Sequence, residues 1–160
     1  MKKISYKTSL KYTYDAQHQG SHYLIKDSSK YRNNGELCES IVKHHRHIYT
    51  DINPSTSWVN GSDIESMKAS VKSALSSLGK GIKGNDKHSM IEYYFNNVHS
   101  TLFIWVELDD KTKEVNEYHM NRKEFEKFVK LFIKLDKDSK GNNMLKFSRT
   151  TRKMLEWLNQ

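Results

Sequence analysis

Ser62-Asp63-Ile64-Glu65-Ser66-Met67-Lys68-Ala69-Ser70-Val71-Lys72-Ser73-Ala74-Leu75-Ser76-Ser77-Leu78-Gly79 admits two foldings, and the rest of the chain reads differently under each. Local rules favour a helix. Ser62 with Glu65 three residues on forms a capping box, Ile64, Met67, Val71, Leu75 and Leu78 recur at helical spacing, and Gly79 closes the C-terminus. The alternative is a β-hairpin in which Asp63 ends one strand and Ala69-Ser70-Val71-Lys72-Ser73 forms the next. In the helix Asp63 and Glu65 occupy the first turn and Lys72 is solvated on the outer face. In the hairpin an Asp and a Lys sit on adjacent strands, at one edge of a sheet.

Working outward, Asn60-Gly61 offers a turn before this stretch, and Asp51-Ile52-Asn53-Pro54-Ser55 breaks the chain with its only proline. A helix is expected from Asn34, capped by Asn33 or Asn34, with Leu37, Ile41, Val42 and His45 on one stripe and Glu36, Glu39 and Lys43 on the other face. Further upstream, Ser9–Tyr14 and His22–Lys26 read as a hairpin turned at Gln17-His18-Gln19-Gly20. On the other side, Lys80–Asp86 is a glycine-rich basic loop and Ser89–Asn96 a short helix. Thr101–Leu108 is a buried strand that turns through Asp109–Lys113 into a second strand, Val115–Met120. Arg122–Leu135 is an amphipathic helix with Phe125, Phe128, Val129, Phe132 and Ile133 inward. Met144–Phe147 forms a last short strand, and Thr150 or Thr151 caps a terminal helix. The expected fold class is therefore α/β in the α+β sense, one domain over residues 1–160 with a central mixed β-sheet flanked by helices.

The chain carries 27 Lys and Arg against 19 Asp and Glu, a formal net charge of +8, which favours polyanionic partners. The excess is not a tail: 12 basic and 7 acidic residues fall in the first eighty positions, 15 and 12 in the remainder. DNA is the expected partner. A protein inhibitor that mimics DNA would need the opposite sign of charge. The longest apolar cluster, Leu102–Val106, is the length of a strand, far below the roughly 18 residues of a membrane span. A single Cys38 forms no internal disulfide, and Met1-Lys2-Lys3-Ile4-Ser5-Tyr6 has no secretory apolar run, so the cytoplasm is the expected compartment.

Nucleases that cut phosphodiesters with Mg²⁺ need acidic oxygens to hold the ion and a lysine to orient water and offset charge on the phosphate. Asp63, then Ser70-Val71-Lys72, with Glu39 upstream in a helix, supplies those groups if the hairpin forms. Gly35-Glu36-Leu37-Cys38-Glu39-Ser40-Ile41-Val42, Asp63 and Ser70-Val71-Lys72-Ser73 together resemble the PD-(D/E)xK nuclease superfamily, which includes restriction endonucleases, over about residues 31–95. The resemblance implies a restriction-endonuclease-like fold and a Mg²⁺ cofactor, with Mn²⁺ as a substitute. It further implies that Asp63 binds the metal, Lys72 orients water and Glu39 supports the metal shell. Three features depart from the family pattern: no proline precedes Asp63, Ser70 stands where the second acid belongs, and the gap from Asp63 to Ser70 is tight for a hairpin. Restriction enzymes with Ser-x-Lys on this strand take the missing carboxylate from the following helix, which makes Glu92 its counterpart here.

Three other features bear on function. His44-His45-Arg46-His47 has one pair, His44 and His47, at helical ligand spacing; with one cysteine and no His-Glu-x-x-His pattern, an exposed basic face contacting phosphate is expected rather than zinc. Lys80, Lys83 and Lys87, and near the C-terminus Arg149, Arg152 and Lys153, form basic segments suited to a phosphate backbone. The aromatics, among them Tyr93, Tyr94, Phe103, Trp105, Phe125 and Phe128, fall at core spacing and not on a base-stacking platform. The expected activity is Mg²⁺-dependent DNA cleavage, by a homodimer if the target is palindromic. A basic DNA-binding accessory protein of phage or plasmid origin without catalysis is the alternative, and it is favoured if residues 63–78 form one helix.

Overall fold

Strand β6, Leu102–Leu108, lies inside a four-stranded mixed sheet of the computed structural model, which describes residues 1–13, 18–19, 22–24, 30–49 and 61–160. Side chains are described for 1–12, 35–49 and 61–160. Phe103 and Trp105 point to one face of the sheet and Ile104 and Val106 to the other; all four are buried. A strand covered on both faces reads as an unbroken apolar run, which is why no alternation is visible in its sequence. The chain turns at Asp109, whose carboxylate accepts hydrogen bonds from the Lys111 and Thr112 amides at 2.9 and 3.2 Å. It returns antiparallel as β7, Glu114–Asn121, against which β1, Lys2–Lys7, adds a further antiparallel strand.

The fourth strand, β5, Ala69–Ser73, pairs in parallel with β6 in the register Lys72 to Trp105, and it decides between the two readings of residues 62–78. No continuous helix forms. Ile64 and Ala69 make an antiparallel bridge, Glu65–Met67 is a single 3₁₀ turn, and Lys68 takes a left-handed conformation at φ 48°. The capping-box signal is not used: Ser62 bonds to Ser100 instead, and the 3₁₀ turn has no side-chain cap. Pairing with a strand some thirty positions downstream overrides local helix propensity, because β6 offers a fully buried partner. A parallel neighbour requires a crossover, supplied by α2, Lys87–Asn97, which Asp86 caps through the Ser89 amide at 2.8 Å.

Helix α1, Lys30–His45, covers the Ile104 face with Leu37, Cys38, Ile41 and Val42. It begins earlier than expected, so that Asn33 and Asn34 lie within it and not at its start, and His45 is exposed instead of joining the buried stripe. The opposite face is covered by α2, by α3, Arg122–Phe132, and by α4, Arg152–Leu158. There the Phe103 and Phe125 rings stack at 4.4 Å, and Trp105 meets Phe128 and Phe147 edge-on at 5.1 and 5.0 Å. Tyr94, Phe103, Trp105, Phe125 and Phe128 are core, as their spacing predicts, whereas Tyr93 is only half-buried. Asn121 and Glu124 close a full capping box on α3. That helix stops short of Leu135, because Lys134–Lys137 leaves it as β8 to pair antiparallel with β9, Asn143–Lys146. Thr151 caps α4 through the Met154 amide at 3.2 Å.

Near the N-terminus, β2, Lys11–Thr13, pairs in parallel with β4, His22–Leu24, which is antiparallel to β3, His18–Gln19. The simple hairpin expected between residues 9 and 26 is thereby corrected: its two arms run in the same direction. The proline break at 51–55 and the turn residues Gln17, Gly20 and Asn60 lie outside the described residues. The outcome is a mixed α+β architecture, a four-stranded sheet of order β1-β7-β6-β5 with helices on both faces.

Candidate functional site

Asp63 is fixed by the backbone pairing of the next residue, Ile64, and by its own carboxylate. The Ile64 and Ala69 amides and carbonyls exchange hydrogen bonds at 3.0 and 3.1 Å, which brings Asp63 alongside β5, and its carboxylate accepts the Val71 N–H at 2.7 Å. The Asp63 side chain thus occupies an amide of β5, the edge strand of the sheet. One residue further, the Lys72 ammonium donates to the Ser77 carbonyl at 3.2 Å. Burial lowers the Lys72 pKa from its ordinary value, while the negative charges of Asp63 and Glu39 work in the opposite direction. Glu39, on α1, is paired with Lys43 at 3.0 Å. Burial first, and the neighbouring Asp63 charge second, push the Glu39 carboxyl up to about 7. Glu39, Asp63 and Lys72, three residues drawn from separate segments, therefore share one electrostatic neighbourhood.

Ser70 and Glu92 have other surroundings. The Ser70 hydroxyl is buried and 2.7 Å from that of Ser100, which is itself 2.7 Å from that of Ser62. The Tyr94 hydroxyl lies beside Ser70, and burial, then the Asp63 charge, raise its pKa above the ordinary phenol value. This chain of hydroxyls braces the turn that presents Asp63. Ser70 is thus occupied as an internal brace. Glu92 does not supply the missing acid either: its side chain is 65 % exposed, it pairs with His88 at 3.8 Å, and it lines a depression with Arg122, Glu126 and Lys130. Tyr94 is the α2 residue facing Asp63, and two helical positions amount to about 200° of rotation, so Glu92 is directed away.

The basic residues divide likewise. Lys80, Lys83, Arg149 and Lys153 are exposed. Arg152 is exposed as well and pairs with Glu156 at 3.0 Å, whereas Lys87 is half-buried and donates to the Lys130 carbonyl at 3.4 Å. Backbone pairing joins the C-terminal group to the candidate site. The Leu75 amide bonds to the Ser148 carbonyl at 3.1 Å, the Phe147 amide to Ser76 at 2.8 Å and the Leu78 amide to Leu145 at 3.0 Å, with Ser77 bridging Lys146. The segment leaving Lys72 is therefore a third ply beside β9.

In the His44–His47 run, where an exposed basic face is expected, His45 and His47 are exposed and Arg46 is not part of such a face. Arg46 turns inward and grips Glu117 of β7, a fully buried carboxylate, with Nη1 to Oε2 at 2.9 Å and Nη2 to Oε1 at 2.5 Å. Tyr6 donates to the same carboxylate, and His119 lies 2.8 Å from it. His45 stacks on the Tyr6 ring at 3.5 Å, His44 contacts the Ser9 hydroxyl at 3.0 Å and His47 the Tyr49 hydroxyl at 3.1 Å. Sequence reasoning missed this cluster. The available signal was Glu117 two positions after Val115 in β7, which puts a carboxylate on the face that α1 covers.

Mg²⁺ is commonly held by one or two carboxylates, with water and phosphate oxygens completing its shell. Asp63 and Glu39 are donors of that kind; burial first and the Asp63 charge second raise the Glu39 pKa, and the second of these is an effect a cation would relieve. Among the described residues no three His, Cys, Asp or Glu side chains cluster as a larger ligand set. Among them also, no helix is long and apolar enough to cross a membrane. Compared with protein-family models, with curated proteins and with solved structures, the chain matches none.

Proposed function

We propose that the chain is a Mg²⁺-dependent DNA endonuclease, or a nuclease-like domain, of the restriction-endonuclease-like PD-(D/E)xK class. The observation that carries this reading is the placement of Asp63 beside the edge strand β5, where its carboxylate accepts the amide of Val71 next to Lys72; the effect of the Asp63 charge on Glu39 and Lys72 agrees with it. In this reading Asp63 and Glu39 would hold the cation, whose chemistry there would be to offset charge on the phosphodiester and acidify water. Lys72, whose ammonium form burial disfavours and the Asp63 and Glu39 charges favour, would orient the attacking water and, as the ammonium, offset charge on the phosphate. The Ser62–Ser100–Ser70 hydroxyls keep the Asp63 turn in place. A cytoplasmic location suits the reading, and a palindromic target would call for a second copy of the chain.

The test is cleavage of supercoiled plasmid with Mg²⁺ or Mn²⁺ by the wild type and by Asp63→Ala and Lys72→Ala, each checked for native circular dichroism. Loss of nicking in both folded variants supports the assignment; unchanged cleavage in both removes it. One observation favours a second reading, DNA binding without hydrolysis, as in a phage or plasmid accessory protein: Ser70 is bonded internally and Glu92 faces elsewhere, leaving one carboxylate fewer than the family pattern. That protein would bind DNA equally well in EDTA and cut none.

A further inference from the structure

β8 and β9 are joined antiparallel, with Lys134 directly opposite Lys146. Like charges in that position repel, and no acidic side chain forms an ion pair with either lysine among the described residues. The pleat gives the pair its direction. Leu145 is buried against the core, so its neighbour Lys146, and Lys134 across from it, belong to the outward face. All four residues of β8 are exposed. Ser77 bridges Lys146 from the third ply, and the Ser77 carbonyl receives the Lys72 ammonium. Lys134, Lys146 and Ser77 therefore form a row across three adjacent backbones, each about 5 Å from the next, that leads to Lys72.

From this row we infer a phosphate-backbone track: Lys134 and Lys146 grip a nucleic-acid strand and lay it across the β8–β9 hairpin toward β5. The chemistry that fits is a regular polyanion. A nucleic-acid backbone presents one charge per nucleotide, and neutralising it releases counterions as well as relieving the Lys134–Lys146 repulsion. Only the destination of the track rests on the nuclease reading; the grip itself does not.

The experiment is fluorescence anisotropy with a labelled DNA duplex, in EDTA, across a salt series, so that failure of cleavage does not enter the readout. Lys134→Gln/Lys146→Gln should weaken binding roughly tenfold near 100 mM salt and flatten the slope of log K against log salt by about 1.8. Lys134→Arg/Lys146→Arg should bind as the wild type does. Lys123→Gln/Lys127→Gln, which removes the same charge from the exposed face of α3, should change affinity less than twofold. Should the double Gln variant fail to fold, Lys134→Gln alone, at an exposed position, should lose about half of that slope. Unchanged binding in the Lys134 variants, or an equal loss in the α3 pair, overturns the track. Tight binding to heparin with none to DNA overturns nucleic acid as its occupant.

Discussion

Arg46 holds Glu117 by two parallel hydrogen bonds at a site where the carboxylate has no access to water, joining the end of α1 to the sheet. Such a pair is costly to bury and more costly to break, because removing one partner strands the other charge. Arg46→Ala should lower the unfolding free energy by about 3–5 kcal/mol, read from urea denaturation. Arg46→Leu/Glu117→Leu should lose less than Arg46→Ala, since it leaves no buried charge behind. A double variant less stable than Arg46→Ala would show that the pair itself, and not the stranded carboxylate, dominates.

The same carboxylate sets a limit on acid stability. Burial alone would raise the Glu117 pKa; hydrogen bonds from His119, Arg46 and Tyr6 outweigh it and hold the group at about 2, below its ordinary 4.5. A depressed folded pKa contributes stability above the unfolded value and loses it as pH falls through the folded one. Urea midpoints should therefore fall between pH 4.5 and 2 more steeply in the wild type than in Glu117→Gln. Parallel curves for the two proteins would exclude Glu117 as the source.

Cys38 provides an independent monitor of α1. Burial pushes its thiol up to about 12 and covers it completely, so the thiolate that reacts with disulfide reagents is scarce and inaccessible. Native protein should not react with Ellman's reagent over minutes, and one thiol per chain should titrate once urea unfolds it. Rapid labelling of the native protein would mean that α1 opens locally.

The hydroxyl chain behind Asp63 predicts a graded effect. Ser100→Ala removes the oxygen shared by Ser62 and Ser70 and leaves both buried hydroxyls short of a partner, at a cost of about 1–3 kcal/mol. Asp63 should lose its fixed position at the same time. If the nuclease reading holds, cleavage should fall in Ser100→Ala while its DNA affinity in EDTA stays that of the wild type; equal losses in both would assign Ser100 a purely structural part.

What could be read from the chain beforehand follows from where each signal resides. β6, β7 and α3 carry their periodicity within their own residues; the two strands keep close to their expected bounds, and α3 starts where expected but ends three residues early. Residues 62–78 do not: their helical spacing and capping residues are local, whereas the interaction that decides them is the parallel register of Lys72 with Trp105. β8 was hidden for a similar reason, since Lys134–Lys137 continues the helical pattern of α3 but is claimed by β9. At the candidate site, Glu39, Asp63 and Lys72 were legible as residue types at suggestive positions. Glu92 misled because helical phase, set by the burial of Met90, Ile91, Tyr94 and Phe95, turns it outward. Arg46 and Glu117 are separated by 71 positions and look like ordinary surface charges until the sheet brings them together.

Glu39 provides the sharpest test of whether the carboxylate pair is a cation site. Its pKa, raised by burial and by Asp63 from 4.5 to about 7, means that the folded protein binds this proton more tightly than the unfolded chain does. The stabilising contribution is therefore complete below pH 4.5 and is lost as pH rises through about 7. Glu39→Gln carries no such proton, so it should gain stability relative to the wild type on going from pH 5 to pH 8. A divalent cation seated between Glu39 and Asp63 would replace the proton and cancel the wild type's deficit. Millimolar Mg²⁺ should raise the wild-type melting temperature at pH 8, raise it less at pH 5, and have little effect on Asp63→Asn at either pH. An equal Mg²⁺ shift in the wild type, Glu39→Gln and Asp63→Asn would place the ion elsewhere and leave the pair as a strained but purely internal contact.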